Sequence, residues 1–171
     1  FDPEPGIGEG QRAQVPHQAV ERAHLIQGRL NVVRRWFVDA IGQSFQREEI
    51  PALFGEDFNP GSWNVGHVTL NDKKAHVLLA TMNKHGKAEE HKYLDHWIDE
   101  HHFHWQSQNA TTPESKRGRE IIEHERRGIA IHLFVRDGKL AGGKAAPFAS
   151  HGRATYESHQ GTAPMRVVFR V

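Results

Sequence analysis

The chain has 171 residues, the size of one domain, with 37% hydrophobic and 25% charged residues and a formal net charge of +1, an ordinary soluble balance that is long enough to bury a core. It has no cysteine, no apolar run of membrane length and no secretory opening, which excludes disulfide frameworks, Cys-ligated zinc and a helical membrane span, and fits a cytoplasmic protein. So small a net charge does not announce nucleic acid, and an anion-binding surface must come from local clustering, with the 14 histidines adding charge only below neutral pH.

The first residue is Phe rather than Met, so a domain cut from a longer protein is expected. Residues 1–16, with Pro3, Pro5, Gly6, Gly8, Gly10 and Pro16, read as an extended entry segment. Residues 17–45 predict helix in two pieces around Gly28, with Val33, Trp36, Phe37, Ala40 and Ile41 forming an apolar stripe. Residues 46–54 predict one more helical turn, ended at Phe54-Gly55. The periodicity then changes. Asn59-Pro60-Gly61 is a turn, 63–70 a strand, 71–73 a second turn, and 76–82 a strand apolar on both faces and therefore central. A polar loop at 83–92 and an ambiguous stretch at 93–100 lead into a strand over 102–109. Thr112-Pro113-Glu114 predicts a helix start, with a hydroxyl cap, Pro in the first position and an early acid; that helix should run to Arg127 and stop at Gly128. Residues 129–136 are the clearest strand, Asp137-Gly138 signals a hairpin, and strands near 147–150, 153–158 and 165–171 complete the chain.

Helices first, then strands with one inserted helix, predict an α+β domain: N-terminal segment and helices over 1–45, then a strand-rich body over 46–171 built on a curved mixed sheet or small barrel.

The segment His102-Phe103-His104-Trp105-Gln106-Ser107-Gln108-Asn109 alternates. As a strand it puts Phe103, Trp105 and Ser107 on one face, and His102, His104, Gln106 and Gln108 on the other. The second row can donate and accept hydrogen bonds, as base edges require. Thr112, Lys116 and Arg117 follow at the predicted helix start, where free N–H groups suit a phosphate. Arg136, at a strand end, and Tyr156 or Trp105, as stacking rings, complete the candidate DNA-binding set. The competing reading is a polar strand face bonded to neighbouring loops. His102 and His104, with His96, His101 and Asp99 nearby, also resemble part of a metal cluster, but no spacing supplies the remaining ligands. No GxSxG, Walker or dinucleotide motif occurs; Gly142-Gly143-Lys144 and Gly6-Ile7-Gly8 lack the required context. No catalytic residue, cofactor or metal is assigned.

The run Phe103-His104-Trp105-Gln106-Ser107-Gln108, then Thr111, Ser115 and Gly118, Leu133-Phe134-Val135-Arg136, Gly152, Gly161 and Pro164-Met165, resembles an uncharacterised domain of bacterial defence proteins. That domain sits at the C-terminal end of restriction-type helicases carrying a phospholipase-D-like nuclease. Arg47-Glu48-Glu49-Ile50, Leu53-Phe54-Gly55, Pro60-Gly61-Ser62-Trp63, Gly66 and Thr81-Met82-Asn83-Lys84 extend the likeness over about residues 45–171. Phe1, Pro5-Gly6-Ile7 and Gly10 weakly resemble the opening of SRA-type modified-base readers of HNH restriction nucleases. The 83–92 loop departs from the helicase-associated pattern, so no role carries over to Lys84 or Tyr93.

The resemblance implies an accessory domain of a modification-dependent, type IV-like restriction system, with a PUA-like or SRA-like barrel holding a base. Its partners would be DNA and the nuclease or helicase domains of the parent protein. A docking domain linking nuclease to motor and a His-dependent metallonuclease are the alternatives.

Overall fold

The computed structural model describes residues 40–83 and 95–171. The chain divides into two compact units, Phe1–Arg35 and Trp36–Val171, and every described residue belongs to the second. The expected entry segment, most of the 17–45 helix with Trp36, and the loop holding Lys84 and Tyr93 lie outside the described residues.

Ten strands dominate the described residues: β1 (Ser44–Phe45), β2 (His67–Leu70), β3 (Ala75–Asn83), β4 (His96–Trp97), β5 (His102–Gln106), β6 (Ala130–Gly138), β7 (Leu140–Ala141), β8 (Lys144–Ala145), β9 (Phe148–Gln160) and β10 (Arg166–Arg170). The described helices are α1 (Pro60–Trp63), α2 (Lys116–Ile122) and 3-10 turns at Ile50–Phe54 and Asn71–Lys73.

The α+β expectation is therefore corrected: the described residues are nearly all β. Where the predicted N-terminal helix reaches described residues, 40–42 form a turn and Ser44–Phe45 a strand paired with β9. The expected helical turn at 46–54 is a 3-10 turn, closed by Gly55 at φ +69. Of the expected strand at 63–70 only 67–70 forms: Trp63 ends α1, which Asn59 starts by capping the Gly61 N–H and Pro60 by presetting the first turn, and 64–66 are bends. The helix expected over 112–127 is only α2. Ser115 rather than Thr112 is its cap, accepting from the Gly118 N–H, and residues 123–128 continue as turns to Gly128.

The sheet runs β2-β3-β6-β9-β10-β5-β4, with β1 paired to β9 beside this path. Among the described residues only β3 and β6 pair in parallel. Both are covered on two sides, as their apolar runs require. Leu78, Ala80, Leu133 and Val135 join Phe103, Trp105, Ile121 and Phe169 in one core cluster. Val77, Leu79 and Phe134 join Ile50, Phe54, Trp63 and Phe148 in the other. The expected hairpin at Asp137-Gly138 is displaced: both residues remain in β6, and the turn between β7 and β8 falls at Gly142-Gly143, at φ +57 and +78.

The two strands predicted near 147–158 are one long strand, β9, broken in register rather than in chain. Leu133 pairs with Gly152 but Phe134 with Ser150, so His151 is an inserted residue beside a glycine at φ +79. A second shift leaves Glu157 inserted opposite Val168/Phe169. The path bends back on itself enough for the His67 ring on β2 to meet the Trp105 ring on β5 edge-on, with centroids 5.4 Å apart.

Candidate functional site

The alternation of β5 is as expected from its spacing: Phe103 and Trp105 are buried, and His102, His104 and Gln106 are half-exposed. The polar row nonetheless divides into two halves with different surroundings.

At the first half the side chains are already engaged. His102 bonds Asp99 through Nδ1 at 2.8 Å and Glu157, the inserted residue of β9, through Nε2 at 3.2 Å. The Asp99 carboxylate raises the His102 pKa. His104 stacks on His96 across the β4–β5 pair, with centroids 4.7 Å apart. No group of three or more His, Cys, Asp or Glu able to hold a metal occurs among the described residues.

At the second half a cavity of about 340 Å³ opens beside Trp105, Gln106, Ser107 and Gln108. Its other walls come from the α1–β2 connection (Asn64, Val65, Gly66), from Leu79 and Thr81 on β3, and from Arg47, Asp95, Arg136 and Lys139. Gly66 sits there because its carbonyl accepts the Leu79 N–H at 2.9 Å. The Gln106 backbone N–H donates to Asp95 Oδ1 at 2.9 Å, while its side-chain amide makes no hydrogen bond among the described residues. Arg136 donates through Nε to Thr81 Oγ1 at 2.9 Å and through Nη1 to the Ala146 carbonyl at 3.3 Å. Arg47 donates through Nη1 to the carbonyls of Trp63 (2.6 Å) and Val65 (3.0 Å). Burial lowers both guanidinium pKa values, and the charge of Arg47 lowers that of Arg136 further.

Of the residues nominated from the sequence, the fold brings Trp105, Gln106, Ser107, Gln108 and Arg136 to this cavity. The Trp105 ring is a wall rather than an open platform, packed against His67 and Phe169 and only 3% exposed. Ser107 is buried; its hydroxyl accepts the Met165 N–H at 2.9 Å and donates to the Gln108 carbonyl. Ser107→Ala is expected to strand that N–H and lower stability by about 1–2 kcal/mol. A denaturant melt reads that change, and an unchanged midpoint would refute the latch. Gln108 accepts from Arg117 Nη1 at 2.7 Å.

The remaining nominees lie elsewhere. Thr112 is tied to Ser115 by its own N–H, carbonyl and hydroxyl, and Asn109 is exposed on a turn. Lys116 lines a different cavity of about 360 Å³, bonded to Asn71 and Glu120. Tyr156 bonds His159 through its hydroxyl at 2.7 Å, and its N–H donates to His124 Nε2 at 3.0 Å. His124 is a buried clamp whose Nδ1 also meets the Ile129 carbonyl.

Sequence reasoning missed Arg47, Asn64, Asp95 and Lys139 as lining residues. Arg47 stands in an Arg-Glu-Glu run indistinguishable from a solvated face, and no local pattern marks the others.

A family model described as a domain of unknown function (DUF3427) matches residues 40–167. No curated protein matches the chain.

Proposed function

The chain belongs to the DUF3427 family, a domain of unknown function, and we propose that it is a DNA-binding module that senses a modified base for a bacterial restriction system. In this reading the base or its modifying group enters the cavity beside Trp105, and the motor and nuclease are other domains of the parent protein. The observation that carries the proposal is the meeting of Gln106, at the end of β5, and of Ser107 and Gln108 after it with a concave space whose charged lining among the described residues is Arg47, Arg136, Lys139 and Asp95. A concave site with a few convergent polar groups is the usual form of a small-ligand pocket. The Gln106 amide has both donors and an acceptor to offer a base edge, and Trp105 supplies an apolar wall. No helix among the described residues is long and apolar enough to cross a membrane.

A mobility-shift series with plain, methylated and hydroxymethylated duplexes tests the reading. Binding that favours one modified duplex by about tenfold is expected, the scale of one good base-edge contact, with Gln106→Ala reducing that preference. Equal affinity for all duplexes would remove the sensing role. Absence of binding to any of them at low salt, where phosphate attraction is strongest, would remove the DNA-binding role.

A further inference from the structure

We propose that Arg47 and Arg136 form a phosphate-binding pair, so that the cavity beside Trp105 takes its ligand by a phosphate group. The proposal rests on the cavity of the DNA reading and deepens it through two of its lining arginines, both of them outside the polar strand.

A guanidinium removed from water needs compensation of its charge as well as of its N–H groups. Both side chains are half-buried, and their partners are neutral: two carbonyls for Arg47, a hydroxyl and a carbonyl for Arg136. No carboxylate forms an ion pair with either among the described residues. Glu48, whose charge acts on Arg47, is exposed and unpaired with it. The two guanidinium carbons lie 5.1 and 4.3 Å from the centroid of one ring, that of Phe148. Two like charges are thus held over a shared aromatic ring.

Among the described residues the cavity lining adds Lys139 and one acid, Asp95, so three described cations face one described anion, an excess of two positive charges. A phosphate monoester carries close to that opposite charge, about −1.5 to −2 at pH 7. Arg47 keeps Nε and Nη2, and Arg136 keeps Nη2, outside the bonds described, and guanidinium forks match phosphate oxygens. Some 340 Å³ leaves room for an attached nucleoside. The phosphate can come from a free nucleotide, as the monoester, or from a DNA strand, as a diester of about one negative charge; both offer oxygens to the guanidinium forks, and the monoester meets the charge more fully.

Calorimetric titration of the full chain with inorganic phosphate, deoxycytidine 5′-monophosphate, deoxycytidine and duplex DNA, at constant ionic strength, tests this. A phosphate-bearing probe should bind at least tenfold more tightly than deoxycytidine, with Arg136→Gln erasing the difference and Arg136→Lys keeping part of it. If Arg136→Gln does not fold, the exposed Lys139→Gln variant carries the test, with about a threefold loss expected. Duplex binding that depends on Arg136, without monophosphate binding, identifies a strand phosphate. Monophosphate binding without duplex binding identifies a free nucleotide, and defeats the DNA reading while leaving the pair intact. The pair is overturned if deoxycytidine binds as well as its monophosphate, if no phosphate-bearing probe binds, or if no phosphate-bearing probe loses affinity on Arg136→Gln; duplex binding in that last case leaves the DNA reading standing.

Discussion

Gly118→Ala is expected to lower the unfolding free energy by about 3 kcal/mol, against the direction of helix propensity. In an unconstrained helix interior, alanine is favoured over glycine by about 1 kcal/mol. Here an added Cβ would stand 1.9 Å from the Thr112 carbonyl oxygen and 3.1 Å from Met165 Sδ. Neither neighbour can yield cheaply. Thr112 is fastened to Ser115 by four hydrogen bonds, and Met165 is fully buried, its N–H held by Ser107. Overpacking of this kind costs about 1–3 kcal/mol, occasionally more, and a backbone oxygen puts it at the upper end. Arg119→Ala, exposed on the same helix, should change stability by less than about 0.5 kcal/mol. Urea melts of both variants decide the matter. A Gly118→Ala protein as stable as the parent would mean that the 112–118 corner, and with it the Arg117–Gln108 contact at the cavity wall, is not built as described.

Acid should unfold the domain through histidines that are buried neutral. His132, edge-on to Phe54, has its pKa lowered from 6.5 to about 4, by burial first and then by the charge of Arg153. His67 is held well below its ordinary value by burial, then by the charges of His76 and Arg117. His76 is lowered by burial, with Arg117 and Lys116 adding to the effect and Glu120 opposing it. The last two form a relay: His76 bonds Glu120 Oε2 through Nε2 at 3.2 Å and His67 Nε2 through Nδ1 at 3.0 Å. With Glu120 accepting from His76, and His76 from His67, His67 Nδ1 is left a bare acceptor, and that atom is buried without a partner.

The sign follows from linkage. Between pH 6.5 and 4 the unfolded chain takes up a proton at His132 that the native state refuses, so stability falls as pH falls through that window. At pH 5 the loss from His132 alone is about 2 kcal/mol, and His67 and His76 act in the same direction. His102 acts oppositely, because Asp99 raises its pKa and the ion pair weakens as pH rises. Unfolding free energies at pH 7.5, 6 and 5 should decline steadily, and His132→Gln should flatten part of the slope. A flat profile from the parent protein would show that these rings are not buried in the neutral form.

Local periodicity was enough to read β3 and the alternation of β5. The run at Ala75–Asn83 is apolar on both faces, and the structure covers both faces with core. The alternation around Trp105 likewise reappears as alternating burial. Residue spacing carries this information because strand geometry sends successive side chains to opposite faces.

Boundaries were less legible. Thr112-Pro113 reads as a strong helix start, yet Ser115 is the cap, because Gly118 packs against the Thr112 carbonyl and leaves that residue in the turn. Asp137-Gly138 reads as a hairpin, yet it stays in β6 because its ladder with β3 continues to Gly138. Those outcomes depend on neighbours distant in sequence, which no local pattern contains.

The sequence by itself determined that β5 has one greasy and one hydrophilic face, since a two-residue repeat is a property of the strand alone. Only the tertiary structure decided what each hydrophilic side chain meets. The inserted Glu157 of β9 claims His102, β4 brings His96 onto His104, and Gln106 faces a cavity whose cations come from before β2 and from the end of β6. Charge compensation acts through space, so the solitude of Arg47 and Arg136 becomes visible only once the sheet has curled and set them over the same phenylalanine.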